Sequence, residues 1–465
     1  MVVSGGGAAF RPKKHSGKPN QPEAADRPGL AARQCAARLL GAVIEKKTSL
    51  DGLTDNQHGH PYYMALDDRD RSLVRAILGA ALRNRGTIEG LLAQLLDRPL
   101  PENAVALKTL LHIAAAQILY LDIPDHSAVD LAVTAANDDP RNRRYAGLVN
   151  AILRRLSRDK DKLSISAPNA PAWFAESLVN AYGAEKAAAI LAIQSVEPPV
   201  DLTVKSDSQG WAGRLGGIVL PNGTVRLARI EGTRIEGALT DLPGFAEGDW
   251  WVQDAAASLP ARLFGDLTGK RVADLCAAPG GKTAQLALAG ADVTAIEISA
   301  NRLARLRTNL ERLKLSAHTV EANLMQYQPE ELFDAVLLDA PCSSTGTVRR
   351  HPDVPWTKSP EDIAKLAALQ ADFLARAVEM VKPGGIIVFS NCSLDPSEGE
   401  AVARSALENL ALKAFPVAEG EFPGFDGLIT PEGFLRSTPA DYPHSDPRLA
   451  GMDGFFAARF RRIST

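Results

Sequence analysis

From Trp251 onward the chain alternates short apolar runs with amphipathic stretches. VADLC is followed by TAQLALAG, VTAIEI by NRLARLRTNLERL, and AVLLD leads through EDIAKLAALQADFLARAVEMV to IIVFS. Strand–helix alternation of this kind predicts an α/β Rossmann-like domain, a parallel sheet with helices on both faces, over residues 251–465. Ligands of such sheets sit beyond the carboxyl ends of the strands. Chemistry is therefore expected just after each apolar run.

Upstream the pattern changes. Residues 1–28 are rich in Gly, Pro, Lys and Arg with almost no large apolar side chains, and read as a disordered basic tail. Residues 29–165 read as an all-helical domain: Leu73, Val74, Ile77, Leu78 and Ala81 share one face, as do Leu148, Val149, Ile152, Leu153 and Leu156. Arg71, Arg75, Arg85, Arg154, Arg155 and Arg158 fall elsewhere, as solvated helix faces or as phosphate contacts. After SAPNAPAW, residues 166–250 hold a helical stretch and the strand-like runs DLTVK, GIVL and VRLA, an α+β connecting segment.

Lys+Arg 52 against Asp+Glu 55 gives a net charge of -3, so a nucleic-acid partner must be held by local patches. The four cysteines, Cys35, Cys276, Cys342 and Cys392, are too scattered for a disulfide framework and form no CxxC pair, so no metal site is expected and the setting is a reducing cytoplasm. No stretch reaches the ~18 apolar residues of a membrane span.

VADLCAAPGGKT joins a strand to a helix through small residues, so the backbone can approach a ligand closely. It is neither a Walker loop, having Cys276 five positions before Gly281, nor GxGxxG. An acid at the end of the next strand, Glu297, suits a ribose diol, which leaves a nucleotide, a dinucleotide and S-adenosylmethionine all open. DAPCSSTG (339–346) and FSNCS (389–393) each follow an apolar run and each carry a cysteine; spacing alone does not say which is a nucleophile.

LCAAPGGKT, LLDAPCSSTGTVRRHPDVPW and SNCSLDPSEGE, in that order, resemble the S-adenosylmethionine-dependent RNA 5-methylcytosine methyltransferases of the Nop2/Sun (NSUN) family, over about residues 190–465. RDRSLVRAILGAALRNRG, AAAQILYLDIPDHSAVDLAV and GLVNAILRRLSR look like the NusB-type RNA-binding domain that precedes the catalytic part in the bacterial Sun/Fmu branch. The resemblance implies S-adenosylmethionine as cofactor, contacted by Cys276, Ala277, Ala278, Pro279, Gly280, Gly281, Lys282, Glu297, Arg302, Asn323 and Asp339. It implies 16S ribosomal RNA as partner, for a chain acting as a monomer. Asn323 and Asn391 stand where the family usually has aspartate and threonine.

Cytosine C5 is too weak a nucleophile to take a methyl group unaided, and a thiolate adding at C6 turns the ring into an enamine. By resemblance Cys392 attacks, Cys342 assists release and Asp339 holds the base, whereas in DNA cytosine methyltransferases the Pro-Cys cysteine attacks. Arg349, Arg350 and His351 are expected at the substrate mouth as RNA contacts, and Trp356 as core packing or a stacking platform. The alternatives are a tRNA or 23S rRNA substrate, a DNA methyltransferase, for which no recognition insert follows FSNCS, and a non-catalytic NusB-like RNA-binding factor.

Overall fold

The computed structural model describes residues 27–56, 58–163, 168–228 and 239–464. Nearly all of the expected basic tail lies outside them. The helical domain is organised around Val105–Tyr120, whose Leu107, Leu110, Leu111, Ile113, Ala114, Ala115 and Ile118 are buried. A helix apolar on every side has no wet face, so the others wrap it. Two polar groups come inside with it: Gln117 donates to Ile113 O, and His112 Nε2 lies 3.0 Å from Ala81 O. Burial lowers the His112 pKa to about 4 and leaves it neutral.

Around it, Asp68–Arg83 is N-capped by Asp67, which accepts from Asp70 N, and buries Val74, Ile77, Leu78 and Ala81. Ala146–Asp159 buries Val149, Ile152, Leu153 and Leu156 and leaves Arg154, Arg155 and Arg158 exposed. Arg71 and Arg85 face inward instead. Arg71 donates to the carbonyls of Tyr63 and Met64, and Arg85 pairs with Glu89 and lies over the Trp356 ring.

The connecting segment begins with a helix kinked at Gly183, Ala172–Ile193. A four-stranded antiparallel sheet follows, in the order β2-β3-β1-β4: β1 (Val200–Val204), β2 (Ile218–Val219), β3 (Val225–Leu227) and β4 (Trp250–Val252). β4 crosses the expected 250/251 boundary because its pairing with β1 seats Trp250 in the core of this small sheet.

The catalytic sheet runs β10-β12-β9-β8-β5-β6-β7. Its strands are β5 (Arg271–Leu275), β6 (Asp292–Glu297), β7 (His318–Glu321), β8 (Phe333–Asp339), β9 (Val381–Asn391), β10 (Leu412–Ala414) and β12 (Phe455–Arg462), with β11 (Leu435–Ser437) paired to β12. The five from β9 to β7 are parallel. β12 runs antiparallel to both its neighbours, β9 and β10, unlike the expected all-parallel sheet, because no crossover helix separates β11 from β12 to turn the chain back in the parallel sense. β5 lies between β6 and β8, so the order of connection reverses there. The ends of β5, β6, β8 and β9 open into one crevice.

Candidate active site

The loop leaving β5 is shaped by backbone. Cys276 and Gly280 have φ of 62° and 102°, and a Cβ on Gly280 would stand 2.9 Å from Leu306. The helix Gly281–Leu288 starts at once, so its N-terminal amides face the crevice. Arg302 braces the loop by donating to Ala278 O, and Asn309 does so through Pro279 O. Ala277 and Ala278 are buried, and Pro279 continues the turn between them and Gly280. Burial first, then the charges of Glu297, Asp339 and Asp274, push the Cys276 thiol up to about 12, so it remains protonated.

Glu297, at the end of β6, is 2% exposed. Its Oε1 accepts from Ser299 N; Oε2 lies 3.3 Å from Arg302 Nη1 but accepts no hydrogen bond among the described residues. A buried carboxylate oxygen without a donor, beside glycines at a strand–helix turn, fits a ribose hydroxyl. Asn323 sits just beyond β7, next to this strand end, with its Oδ1 accepting from Met325 N. Lys282 reaches from the first loop to Asp339, Nζ to Oδ2 2.7 Å, and so links the loop after β5 to the end of β8.

Asp339 ends β8 opposite Ser390 of β9, and Ser390 Oγ donates to its other oxygen at 3.0 Å. This register brings the two cysteine loops together: Cys342 Sγ and Cys392 Sγ are 3.4 Å apart, and Ser344 Oγ is 3.6 Å from Cys392 Sγ. A hydrogen bond from the Cys342 thiol, aided by Ser344 and the Lys282 charge, holds Cys392 below the usual thiol range against burial. Cys342, which gives that bond and is partly buried, is pushed well above it. The pair is electronically unequal, with thiolate favoured at Cys392 and thiol at Cys342. Asn391 is buried, donates to Glu398 O and accepts from Ser393 N, a backbone role that its amide fills.

The basic loop departs from expectation. Arg349 is 1% exposed and donates to Ala450 O. Arg350 donates to Pro199 O and pairs with both Asp254 and Asp453. His351 pairs with Asp51 at 3.1 Å. The two arginines thus face inward, because buried carboxylates and carbonyls converge on them, and none of the three stands free at a mouth. Trp356 packs on the helical core. Ser344, Ser390 and Gln370 were not singled out from the sequence; the serines next to or opposite the site residues were a usable signal, but Gln370 lies on a distant helix and left none.

Residues 266–461 match the family model of the RsmB/F 16S rRNA methyltransferases, and residues 30–158 that of the NusB family. Ribosomal RNA small subunit methyltransferase B of Salmonella arizonae is 32% identical over 446 residues, 92% of this chain and 97% of that protein. Its counterpart in Salmonella paratyphi B is 33% identical over the same span. A methyltransferase homolog protein from Pyrococcus horikoshii, known from a crystal structure, is similar at 27% identity and a TM-score of 0.50, over 62% of this chain and 94% of that one. NSun6 from Pyrococcus horikoshii, crystallised with SFG, shares the fold at 19% identity and a TM-score of 0.51, over 63% and 99% of the two chains. With identity of this extent running through both the helical and the catalytic parts, the chain belongs to the RsmB/F family of 16S rRNA methyltransferases.

Proposed function

We propose that this protein methylates C5 of a cytosine in 16S ribosomal RNA, with Cys392 adding to C6 and Cys342 serving product release. The observation that carries the reading is the unequal thiol pair beside Asp339, at the ends of adjacent parallel strands. S-Adenosylmethionine supplies an electrophilic methyl group. Cys276 to Lys282 shape its pocket with backbone, Glu297 receives the ribose, Arg302 braces the loop, Asn323 flanks the adenine side and Lys282 carries a positive charge between donor and base.

The chain's own groups then act in sequence. Cys392 is the better nucleophile because the Cys342 thiol at 3.4 Å and the Ser344 hydroxyl at 3.6 Å can both turn a hydrogen toward its sulfur once it is a thiolate. Asp339, held by Lys282 and Ser390, faces a base extruded above the sheet and can meet its N3 and exocyclic amine. Cys342 begins as a thiol 3.4 Å from Cys392; as the Cys392–C6 bond breaks it gives its proton to the departing sulfur and, as thiolate, takes the C5 proton, which restores the 5,6-double bond. The exposed Arg154, Arg155 and Arg158 offer phosphate contacts, in a protein acting as a monomer in the reducing cytoplasm.

Denaturing gels with labelled 16S RNA test the roles. Cys342→Ala should accumulate a methylated protein–RNA adduct and Cys392→Ala should form none; the reverse pattern would overturn the assignment. Bisulfite sequencing of RNA from a deletion strain tests the substrate, and loss of a mark in 23S rRNA or tRNA but not in 16S would refute that part.

A further inference from the structure

Each cysteine has two chain neighbours, and all four lead to one residue, three of them to its carboxylate and Asn391 to its backbone carbonyl. Glu398 is 0% exposed. Its Oε1 accepts from Ser343 N at 2.9 Å and from Gln370 Nε2 at 3.0 Å, and its Oε2 accepts from the hydroxyls of Ser343 and Ser393. Ser343 follows Cys342 and Ser393 follows Cys392. On the other side, Gln370 also donates to Pro341 O, just before Cys342, and Asn391, just before Cys392, donates to Glu398 O at 2.6 Å.

The four donors to its side chain are all uncharged, so this buried carboxylate is held by hydrogen bonds alone. Burial of a charge in that way is costly unless every bond is made. Neither thiol bonds to Glu398, yet the residues on both sides of each are anchored to it, directly or, for Pro341, through Gln370. The two loops come from segments far apart in the chain and are also joined by Gly346 N donating to Cys392 O and by Leu394 N donating to Thr345 Oγ1.

We propose that Glu398 is a positioning residue that fixes the separation of the two thiols, and through it the turnover of the proposed two-cysteine reaction. The proposal rests on the roles given above to Cys392 and Cys342. Its first test needs no RNA, which separates the two. In the full-length protein, diamide, a thiol oxidant, converts two adjacent thiols to a disulfide while itself being reduced to the hydrazine, and mass spectrometry maps the Cys342–Cys392 link.

With Glu398→Ala the linking rate should fall about 10-fold or more, and kcat by about 10²-fold with the KM for RNA within a few-fold, the loss typical of reacting groups displaced by ~1 Å. Glu398→Gln should restore both to within a few-fold. Its amide oxygen can replace Oε1, and its nitrogen can donate to serine hydroxyls that rotate to accept. Wild-type linking and kcat in Glu398→Ala would overturn the proposal, and so would equal loss in both variants, which would make charge rather than position the requirement. If melting curves show that Glu398→Ala does not fold, the double variant Ser343→Ala with Ser393→Ala is read instead. It must slow linking and kcat together, and wild-type values there overturn the idea. Loss of adduct in Cys342→Ala with an intact linking difference would refute the cysteine roles and not the clamp.

Discussion

The cofactor loop and the cysteine loops leave neighbouring strands of one sheet and are built in opposite ways. Residues 276–282 form a short continuous turn whose shape comes from positive φ at Cys276 and Gly280 and from small side chains. Only a few side chains brace it, Arg302 and Asn309 among them. The cysteine loops are shaped by side chains joining segments far apart in sequence, with Glu398, Ser343, Ser393 and Gln370 forming one buried network. Backbone geometry suffices to cradle a ligand. Holding two sulfurs at a set separation requires partners on both strands, and such partners must come from elsewhere in the chain.

The sharpest break in the comparison is between cysteines. Cys392→Ala should cut methyl transfer by roughly 10⁴-fold or more, the scale on which loss of a covalent nucleophile acts, whereas Cys276→Ala, in a loop that works by backbone, should stay within a few-fold. Comparable losses in a steady-state assay would abolish the distinction. Next in size, Arg350→Ala leaves Asp254 and Asp453 without their shared cation and should lower stability by about 3–5 kcal/mol in denaturant melts. If it instead melts normally and loses RNA affinity, the loop does face RNA.

On the cofactor side, Glu297→Gln should weaken S-adenosylmethionine binding by about 1.5–3 kcal/mol, or roughly 10–100-fold by calorimetry, and leave Cys342–Cys392 linking by diamide unchanged. A linking defect would show that the two halves are not separable.

The smallest effect concerns His351, which joins the 348–356 loop to the helical domain through Asp51. Burial would lower its pKa, but the Asp51 hydrogen bond and charge overcome this and raise it. A raised folded pKa adds stability that is full below the unfolded value near 6.5 and is lost as pH rises through the folded pKa. The group is 37% exposed, so solvent screening limits the contribution to about 0.5 kcal/mol. His351→Gln should remove the pH dependence of that increment, measured as the difference in melting temperature between pH 6 and pH 9.

Periodicity made the helical domain readable: Val74, Ile77, Leu78 and Ala81 recur at helical spacing, so the face they turn to the shared core is set within one helix. The strand, the Gly-Gly turn and the following acid at Glu297 were readable for a related reason, since each is a local feature. The inward turn of Arg349 and Arg350 was not legible because the carboxylates near them, Asp254 and Asp453, lie far away in the chain on either side. β12 escaped notice as a strand because FFAARFRR shows no clean alternation, and its burial is conferred by β9, β10 and β11 around it.

By itself, then, the amino-acid order determined the helices and the strands whose apolar runs are local, where the backbone can approach a ligand, and which residue types could attack a cytosine, because each depends on neighbours within a few positions. Tertiary structure alone decided the register of Asp339 against Ser390, the 3.4 Å between the thiols, and the inward turn of Arg350. The reason is physical: thiolate stability and charge burial are set by whatever atoms stand within a few ångströms, and those atoms arrive from distant parts of the chain only when the sheet closes.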